Sequence, residues 1–328
     1  MKNNKISPIV GSSVALANLM DEVGRLTSIN RPVIILGERG SGKELIASRI
    51  HYLSTRWEGP LVSLNCGTLS PELMASELFG HERGAFTGAT MEKPGRFERA
   101  NGGSLFLDEI TTASPTMQEQ LLRVLETGQF ERVGGQKTLN SDARVIAATN
   151  ENPRALADEG KFRHDLLDRL AFGVLRVPPL RERKEDIPPL CYHFAQKCLE
   201  EMSSDFSADI SEEAMELLMD HSWPGNVREL RNVIERAIFT SEEGRIEDVE
   251  LDPFSKFSPP TDEPETDTSF IEKNEPSWPR NLNQELENLR HRWVDEALKK
   301  NHGHQGKAAD DLGLAYHQFR ALLRRLKK

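Results

Sequence analysis

The strongest chemical pattern in the chain is "GERGSGKE", residues 37–44. Its G-x-x-x-x-G-K spacing suits a loop whose successive backbone N–H groups converge on phosphate oxygens while Lys43 reaches the outermost phosphates. The loop follows an apolar run, "PVIIL", and opens a helical pattern, so partial positive charge gathers at the same place. Gly37, Glu38, Arg39, Gly40, Ser41, Gly42, Lys43 and Glu44 are therefore expected to hold a nucleotide. Glu44 stands where a Ser or Thr would ligand Mg²⁺ directly, which leaves the ion to phosphates, water and another carboxylate. Asp108 and Glu109 end the run "SLFLDE": Asp108 suits Mg²⁺ through its hydration shell and Glu109 suits polarisation of an attacking water. An isolated Asp-Glu pair also serves as a helix cap, but beside a phosphate loop catalysis is the better reading.

Two further run ends carry amides, Asn65 after "LVSL" and Asn150 after "ARVIAAT". Each could orient a water or hold Glu109; each could equally form a turn. Arg163 and Arg169 in "FRHDLLDRL" could stabilise charge during phosphoryl transfer, in their own subunit or a neighbour's, or could be solvated on a helix face. Arg228 in "WPGNVREL" starts a helix from which it could reach the nucleotide. Finally, "GAFTGA", Gly84, Ala85, Phe86, Thr87, Gly88 and Ala89, sets one large apolar residue on a loop too short to bury it. Phe86 either folds back onto the body or is offered to a partner.

The elements that must position these residues are legible as short apolar runs, "PVIIL", "LVSLN", "SLFLD", "ARVIAAT" and "GVLRV", with helical patterns between most of them. That rhythm predicts a mostly parallel sheet covered by helices, whose carboxyl edge binds ligands. "SPTMQEQLLRVLETG" predicts a helix with Ser114 as N-cap, Pro115 at its first position and Gly128 beyond its end. After Lys184 helices take over, among them "NVRELRNVIERAIF", with Asn226 and Glu229 spaced as a capping box. "ERVGGQKTLN" predicts a hairpin with Gly134 and Gly135 at its tip. Residues 241–280 hold six prolines and twelve acidic against four basic residues, the composition of a linker.

Forty-two basic against 52 acidic residues, a formal charge of −10, exclude a protein that coats nucleic acid over its whole surface. The balance reverses locally: residues 299–328 carry eight Lys/Arg against two Asp. There "QGKAADDLGLAYHQFRALLRRL" fits helix, turn and helix, with Ala308 and Ala309 packed closely, Gly313 at the turn, and Leu314, Phe319 and Leu322 inward. Tyr316, His317, Gln318 and Arg320 would enter a major groove, and Lys307, Arg324 and Arg325 would hold phosphates; a two-helix dimerisation module is the alternative. The preceding helix offers Leu286, Leu289, Trp293 and Ala297 as a packing or dimer face. Three cysteines, Cys66, Cys191 and Cys198, support neither a disulfide framework nor a zinc site and fit a reducing cytoplasm. With no membrane-length apolar run, a soluble protein without direct membrane insertion is expected.

"GERGSGKE", "ASELFGHERGAFTGA", "GGSLFLDE", "LLRVLE", "RVGG", "FRHDLLDRL", "PPLRERKEDI" and "WPGNVRELRN" together resemble the AAA+ central domain of bacterial sigma-54-dependent transcriptional activators, over roughly residues 7–240. The resemblance implies an α/β P-loop ATPase fold with a parallel sheet and a helical lid, followed by a small all-α helix-turn-helix domain. The expected boundaries are 1–183 for the α/β subdomain, 184–240 for the lid, 241–280 for the acidic Pro-rich linker and 281–328 for the DNA-binding domain. It implies ATP and Mg²⁺ as cofactors, Asp108 and Glu109 as the hydrolytic pair, Asn65 as a switch on Glu109, and Asn150 as a γ-phosphate sensor. Arg163 and Arg169 would act across a subunit boundary, Arg228 would sense from the lid, and adenine would lie near Val10 and Gly11. Hexameric rings, contact of the "GAFTGA" loop with sigma-54 and RNA polymerase holoenzyme, and binding to upstream enhancer DNA are implied as well. With no sensory domain ahead of the ATPase, regulation is expected from a separate negative regulator bound to that domain. An AAA+ unfoldase or chelatase without DNA specificity, or a repressor with a vestigial ATPase, would share parts of this pattern.

Overall fold

The computed structural model describes residues 8–204, 206–241, 243–254, 292–294, 296–301, 304–314 and 316–326. In chain order, α1 (Val14–Thr27), β1 (Val33–Leu36), α2 (Lys43–Tyr52) and β2 (Leu61–Asn65) lead to α3 (Pro71–Phe79), the short strands β3 (Gly80–His81) and β4 (Lys93–Pro94), and α4 (Arg96–Arg99). Then come β5 (Ser104–Asp108), α5 (Pro115–Thr127), the hairpin β6 (Gln129–Glu131) and β7 (Thr138–Asn140), β8 (Arg144–Thr149), α6 (Pro153–Asp158), α7 (His164–Leu170) and β9 (Gly173–Arg176). All five apolar runs are strands of one sheet, ordered β2-β5-β8-β1-β9, and every pairing is parallel.

Parallel strands must be covered on both faces, and the alternation along β1 shows how. Val33 and Ile35 face α1 and α2 with Phe106, Ile146, Ala148 and Leu175. Ile34 faces the larger core under α3, α5 and α7, with Leu105, Leu107, Leu121, Phe97 and Leu166. Each such fully buried side chain contributes about 1.5–3 kcal/mol. Helix α5 starts and stops as its sequence predicts: Ser114 Oγ accepts from Met117 N–H, Pro115 occupies the first turn, and Gly128 closes it with φ 71°.

The register fixes the functional edge. Leu36 pairs with Thr149 and Asn65 with Asp108, so the phosphate loop, both amides and both carboxylates leave the sheet at one end.

Helices α8 (Ile187–Glu201), α9 (Glu212–Asp220) and α10 (Asn226–Thr240) form the lid, with β10 (Asp209–Ile210) and β11 (Arg245–Ile246) paired beside them. Its core is built on Trp223, Leu190, Leu218, Leu230 and Ile234. Two expectations change here. Ile246 and Val249, in the stretch expected to be linker, are buried in this core; residues 255–280 lie outside the described residues. Asn226 is not the cap of α10. Gly225 holds that position and donates its N–H to Glu229 Oε2 at 2.7 Å, which frees the Asn226 side chain for longer-range bonds.

A second compact unit spans Phe254–Lys328. Residues 292–294 and 296–300 are helical, followed by helices Gln305–Asp311 and Tyr316–Leu326 with Gly313 at φ 60° between them. Ala308, Ala309 and Phe319 are buried together with Val294 and Ala297, and Leu314 and Leu322 pack against them. Trp293 is exposed and does not join this core. Leu286 and Leu289, and the side chains of His317, Arg324 and Arg325, lie outside the described residues. Among the described residues no helix is long and apolar enough to cross a membrane.

Candidate nucleotide site and its loops

Residues 37–42 join β1 to α2 as a loop with Gly40 at φ 74° and Gly42 at φ 106°, a backbone region closed to most side chains. Its carbonyls are engaged. Lys43 Nζ donates to Gly37 O at 2.8 Å and Glu38 O at 3.1 Å, and Ser41 Oγ donates to Glu38 O at 2.8 Å. The N–H groups of Gly40, Gly42, Lys43 and Glu44 donate to no described backbone carbonyl. A row of unpaired amides at a helix start is an anion site. Burial pulls the Lys43 amine below its usual range, while Asp108 and Glu109 push it back up, so Lys43 and the carboxylate pair share one electrostatic field.

Glu109 sits at φ 52°, a left-handed conformation costly for a non-glycine residue and concentrated at functional sites. Its N–H is held by Asp108 Oδ1 at 3.0 Å. A Cβ placed on Gly67 would lie 2.2 Å from Glu109 Oε2 and 3.4 Å from Asn65 Oδ1, so both side chains converge on that glycine. Asn65 Oδ1 accepts from Gly67 N–H at 2.8 Å. Among the described residues no group of three or more His, Cys, Asp or Glu could hold a metal ion. Asn150 is exposed at the end of β8. The neighbouring Thr149 is buried and bonds Thr111 Oγ1 at 2.9 Å, tying the turn after Glu109 to β8.

The lid closes over this loop. A Cβ on Gly40 would meet Gly225 O at 2.3 Å and Arg228 Cβ at 2.9 Å, so Arg228 stands against the phosphate loop. Three residues that sequence reasoning left unassigned, and Asn226, which it read as a cap, complete the contact. Arg181 binds Glu38 through both guanidinium ends at 2.6 and 2.8 Å, which with Asn226 holds the Glu38 carboxyl at about 2. Arg183 donates to Ser41 O at 2.8 Å. Asp186, fully buried, accepts from Ser12 N–H and Ser13 N–H at 2.7 Å and from Ser13 Oγ at 2.9 Å, fixing the segment after Val10 and Gly11. Asn226 is the fourth. The available signal was charge density in "RERKED", a run ordinarily left in water.

Arg163 pairs with Asp165 at 2.7 Å and Arg169 with Glu126 at 3.1 Å, all four largely exposed. In their own subunit neither bonds the phosphate loop.

The "GAFTGA" loop projects between β3 and β4, closed at its base by Gly84 N–H to Ala89 O at 2.8 Å. Ala89 is buried and Phe86 is 43% exposed. The hairpin tip packs on it, since a Cβ on Gly134 would lie 2.8 Å from Ala85 Cβ. Arg132 joins the two: it binds Glu98 at 2.8 and 2.9 Å and Glu82 at 3.2 Å. Beneath both loops lies a cleft of about 790 Å³ bordered by Phe79, Phe86, Phe130 and Arg132.

Residues 9–176 match the sigma-54 interaction domain and residues 181–268 the AAA+ ATPase lid domain. The chain is 45% identical to the Psp operon transcriptional activator of Escherichia coli K12 over 319 residues, covering 97% of each protein. It is 49% identical to the Nif-specific regulatory protein of Azotobacter vinelandii over 238 residues, 73% of this chain and 45% of that protein. The solved structure of NtrX from Brucella abortus in complex with ATP superposes with a TM-score of 0.70 at 34% identity, over 98% of this chain and 70% of that one. The chain therefore belongs to the AAA+ sigma-54-dependent transcriptional activators.

Proposed function

We propose that the protein hydrolyses ATP to remodel sigma-54 RNA polymerase holoenzyme, driving open complex formation at promoters to which its basic tail is recruited through upstream enhancer DNA. The observation that carries this reading is the convergence, at one sheet edge, of unpaired loop amides, Lys43, Asp108 and a strained Glu109, in a subunit that also holds a partly exposed Phe86 on a loop bounded by Gly84 and Gly88. Bound ATP supplies the free energy of phosphoanhydride hydrolysis. Lys43 and the free amides of Gly40, Gly42, Lys43 and Glu44 would grip the phosphates, Asp108 would hold Mg²⁺ through water, and Glu109 would take a proton from the attacking water, with Asn65 as its switch and Asn150 as the γ-phosphate sensor.

Arg163 and Arg169, occupied by exposed ion pairs of little strength, are free to swing to a neighbour's phosphates, which calls for a ring, a hexamer in this reading. Lys307, Tyr316, Gln318 and Arg320, with His317, Arg324 and Arg325, would contact DNA. Similarity to the Psp operon activator along the whole chain favours a phage-shock, membrane-stress operon and a separate negative regulator on the ATPase domain. The test is open complex formation with purified sigma-54 holoenzyme and ATP. Wild type is expected to open the promoter; Phe86→Ala and Glu109→Ala are expected to fail, and opening by either variant would overturn the scheme. An unfoldase without DNA specificity would show no salt-dependent DNA binding by residues 281–328.

A further inference from the structure

A buried amide of the lid and a buried guanidinium of the hinge, the segment joining β9 to α8, each hold one carbonyl of the phosphate loop. Asn226 is fully buried. Its Nδ2 donates to Arg39 O at 3.2 Å and to Glu38 Oε2 at 3.0 Å, and its Oδ1 accepts from Leu180 N–H at 2.8 Å. Leu180 N–H needs an acceptor, so the orientation of the amide is fixed by its network. Arg183, 5% exposed, donates Nη2 to Ser41 O at 2.8 Å.

A trans peptide unit points its C=O and N–H in opposite directions. The Arg39 carbonyl shares its unit with Gly40 N–H, and the Ser41 carbonyl shares its unit with Gly42 N–H. Both of these N–H groups lack a backbone partner. We propose that Asn226 and Arg183 are positioning residues: by drawing the two carbonyls outward they aim the Gly40 and Gly42 N–H groups into the phosphate cradle.

Glycines at positions 40 and 42 leave the loop conformationally free, so something outside the loop has to select the binding geometry, and here it is the lid and its hinge. Phosphate grip then depends on the lid being docked, and pulling the lid away loosens the grip without any change in the loop's own sequence. The inference rests on the nucleotide reading of this site.

Asn226→Asp separates this role from a structural one, because it keeps an acceptor for Leu180 N–H and loses both donated bonds. Built into Glu38→Gln, it avoids facing two carboxylates. With the full-length chain and calorimetric titration of ADP and AMP, adding Asn226→Asp to Glu38→Gln is expected to weaken ADP at least tenfold and AMP less than twofold, since AMP lacks the phosphate that the cradle holds. An unchanged ADP affinity, or an equal loss for both nucleotides, overturns the inference. Should the double variant melt below the assay temperature, Asn226→Ser carries the same comparison. If the wild-type chain binds neither ADP nor ATP, the ATPase reading falls and takes the inference with it; if wild type binds and the ADP preference survives substitution, the inference falls alone.

Discussion

The ring of Phe86 packs edge-on against the imidazole of His81, with centroids 5.0 Å apart and planes at 65°. His81 is buried and anchored by Ser76 Oγ at 2.8 Å, so the contact is to a fixed surface. An edge-on aromatic pair is worth about 0.5–1.5 kcal/mol. That is enough to park a loop and too little to lock it against a phosphate-driven rearrangement. Of the two readings of "GAFTGA", the folded-back one describes the subunit alone, and the outward one belongs to the proposed contact with sigma-54. Phe86→Ala removes the ring that the proposed mechanism offers to sigma-54 and touches no group of the nucleotide site. ATP turnover within about threefold of wild type, with open complexes absent, is the expected pair of results in phosphate-release and promoter-opening assays.

Gly67 lies where Glu109 needs room. A Cβ there would stand 2.2 Å from Glu109 Oε2, and because that atom ends a flexible side chain, the fold can yield by moving the carboxylate. Gly67→Ala is therefore expected to leave the melting temperature and ADP affinity near wild type while turnover falls at least tenfold, the ceiling on the loss being the roughly 10²–10⁴ that a positioned base supplies. Turnover equal to wild type would remove Glu109 from the water-activating role.

Much of this site was legible in the sequence because its signals are local. Phosphate-loop glycines, a carboxylate pair at a strand end and Pro-led or Ser-capped helices each report their own neighbourhood, and five apolar runs became five parallel strands. What stayed hidden depends on tertiary register. Asn226 reads as a cap because Asn before a helical pattern usually is one, yet Gly225 takes that position and the amide reaches Glu38, 188 residues away in sequence. Arg183 and Asp186 carry no role in the sequence reading, and only the fold shows them buried against the loop and the segment after Gly11. Ile246 and Val249 sat in an acidic, proline-rich stretch whose average concealed two core residues.

Arg163 and Arg169 give a prediction about stoichiometry. Each is satisfied in its own subunit by an exposed carboxylate, and exposed pairs of this kind contribute about 0–1 kcal/mol, so exchanging them for a phosphate costs little. Lys43→Ala and Arg169→Ala are each expected to lose ATP turnover. Mixed in equal amounts, they should regain a measurable fraction, because an intact loop then meets an intact arginine across some boundaries. A mixture as inactive as its components would confine the arginines to their own protomer.

His51 ties stability to pH at the opposite end of the sheet from the nucleotide. It is fully buried on α2, its Nδ1 sits 2.9 Å from Ser104 Oγ, and its Nε2 makes no well-formed hydrogen bond among the described residues. Burial holds its pKa below the ordinary 6.5, with the charge of Arg144 acting in the same direction and a backbone contact at Gly59 opposing both. The unfolded chain protonates this residue near 6.5 while the folded chain resists until lower pH, so across that window the unfolded state binds more protons. Stability must then fall as pH drops below about 6.5 and stay level, for this residue, above it. His51→Gln cannot take up the proton and can still face Ser104. Urea midpoints measured from pH 7.5 down to 5 should decline less steeply in the variant than in wild type, and parallel declines would show that His51 protonates equally well in both states.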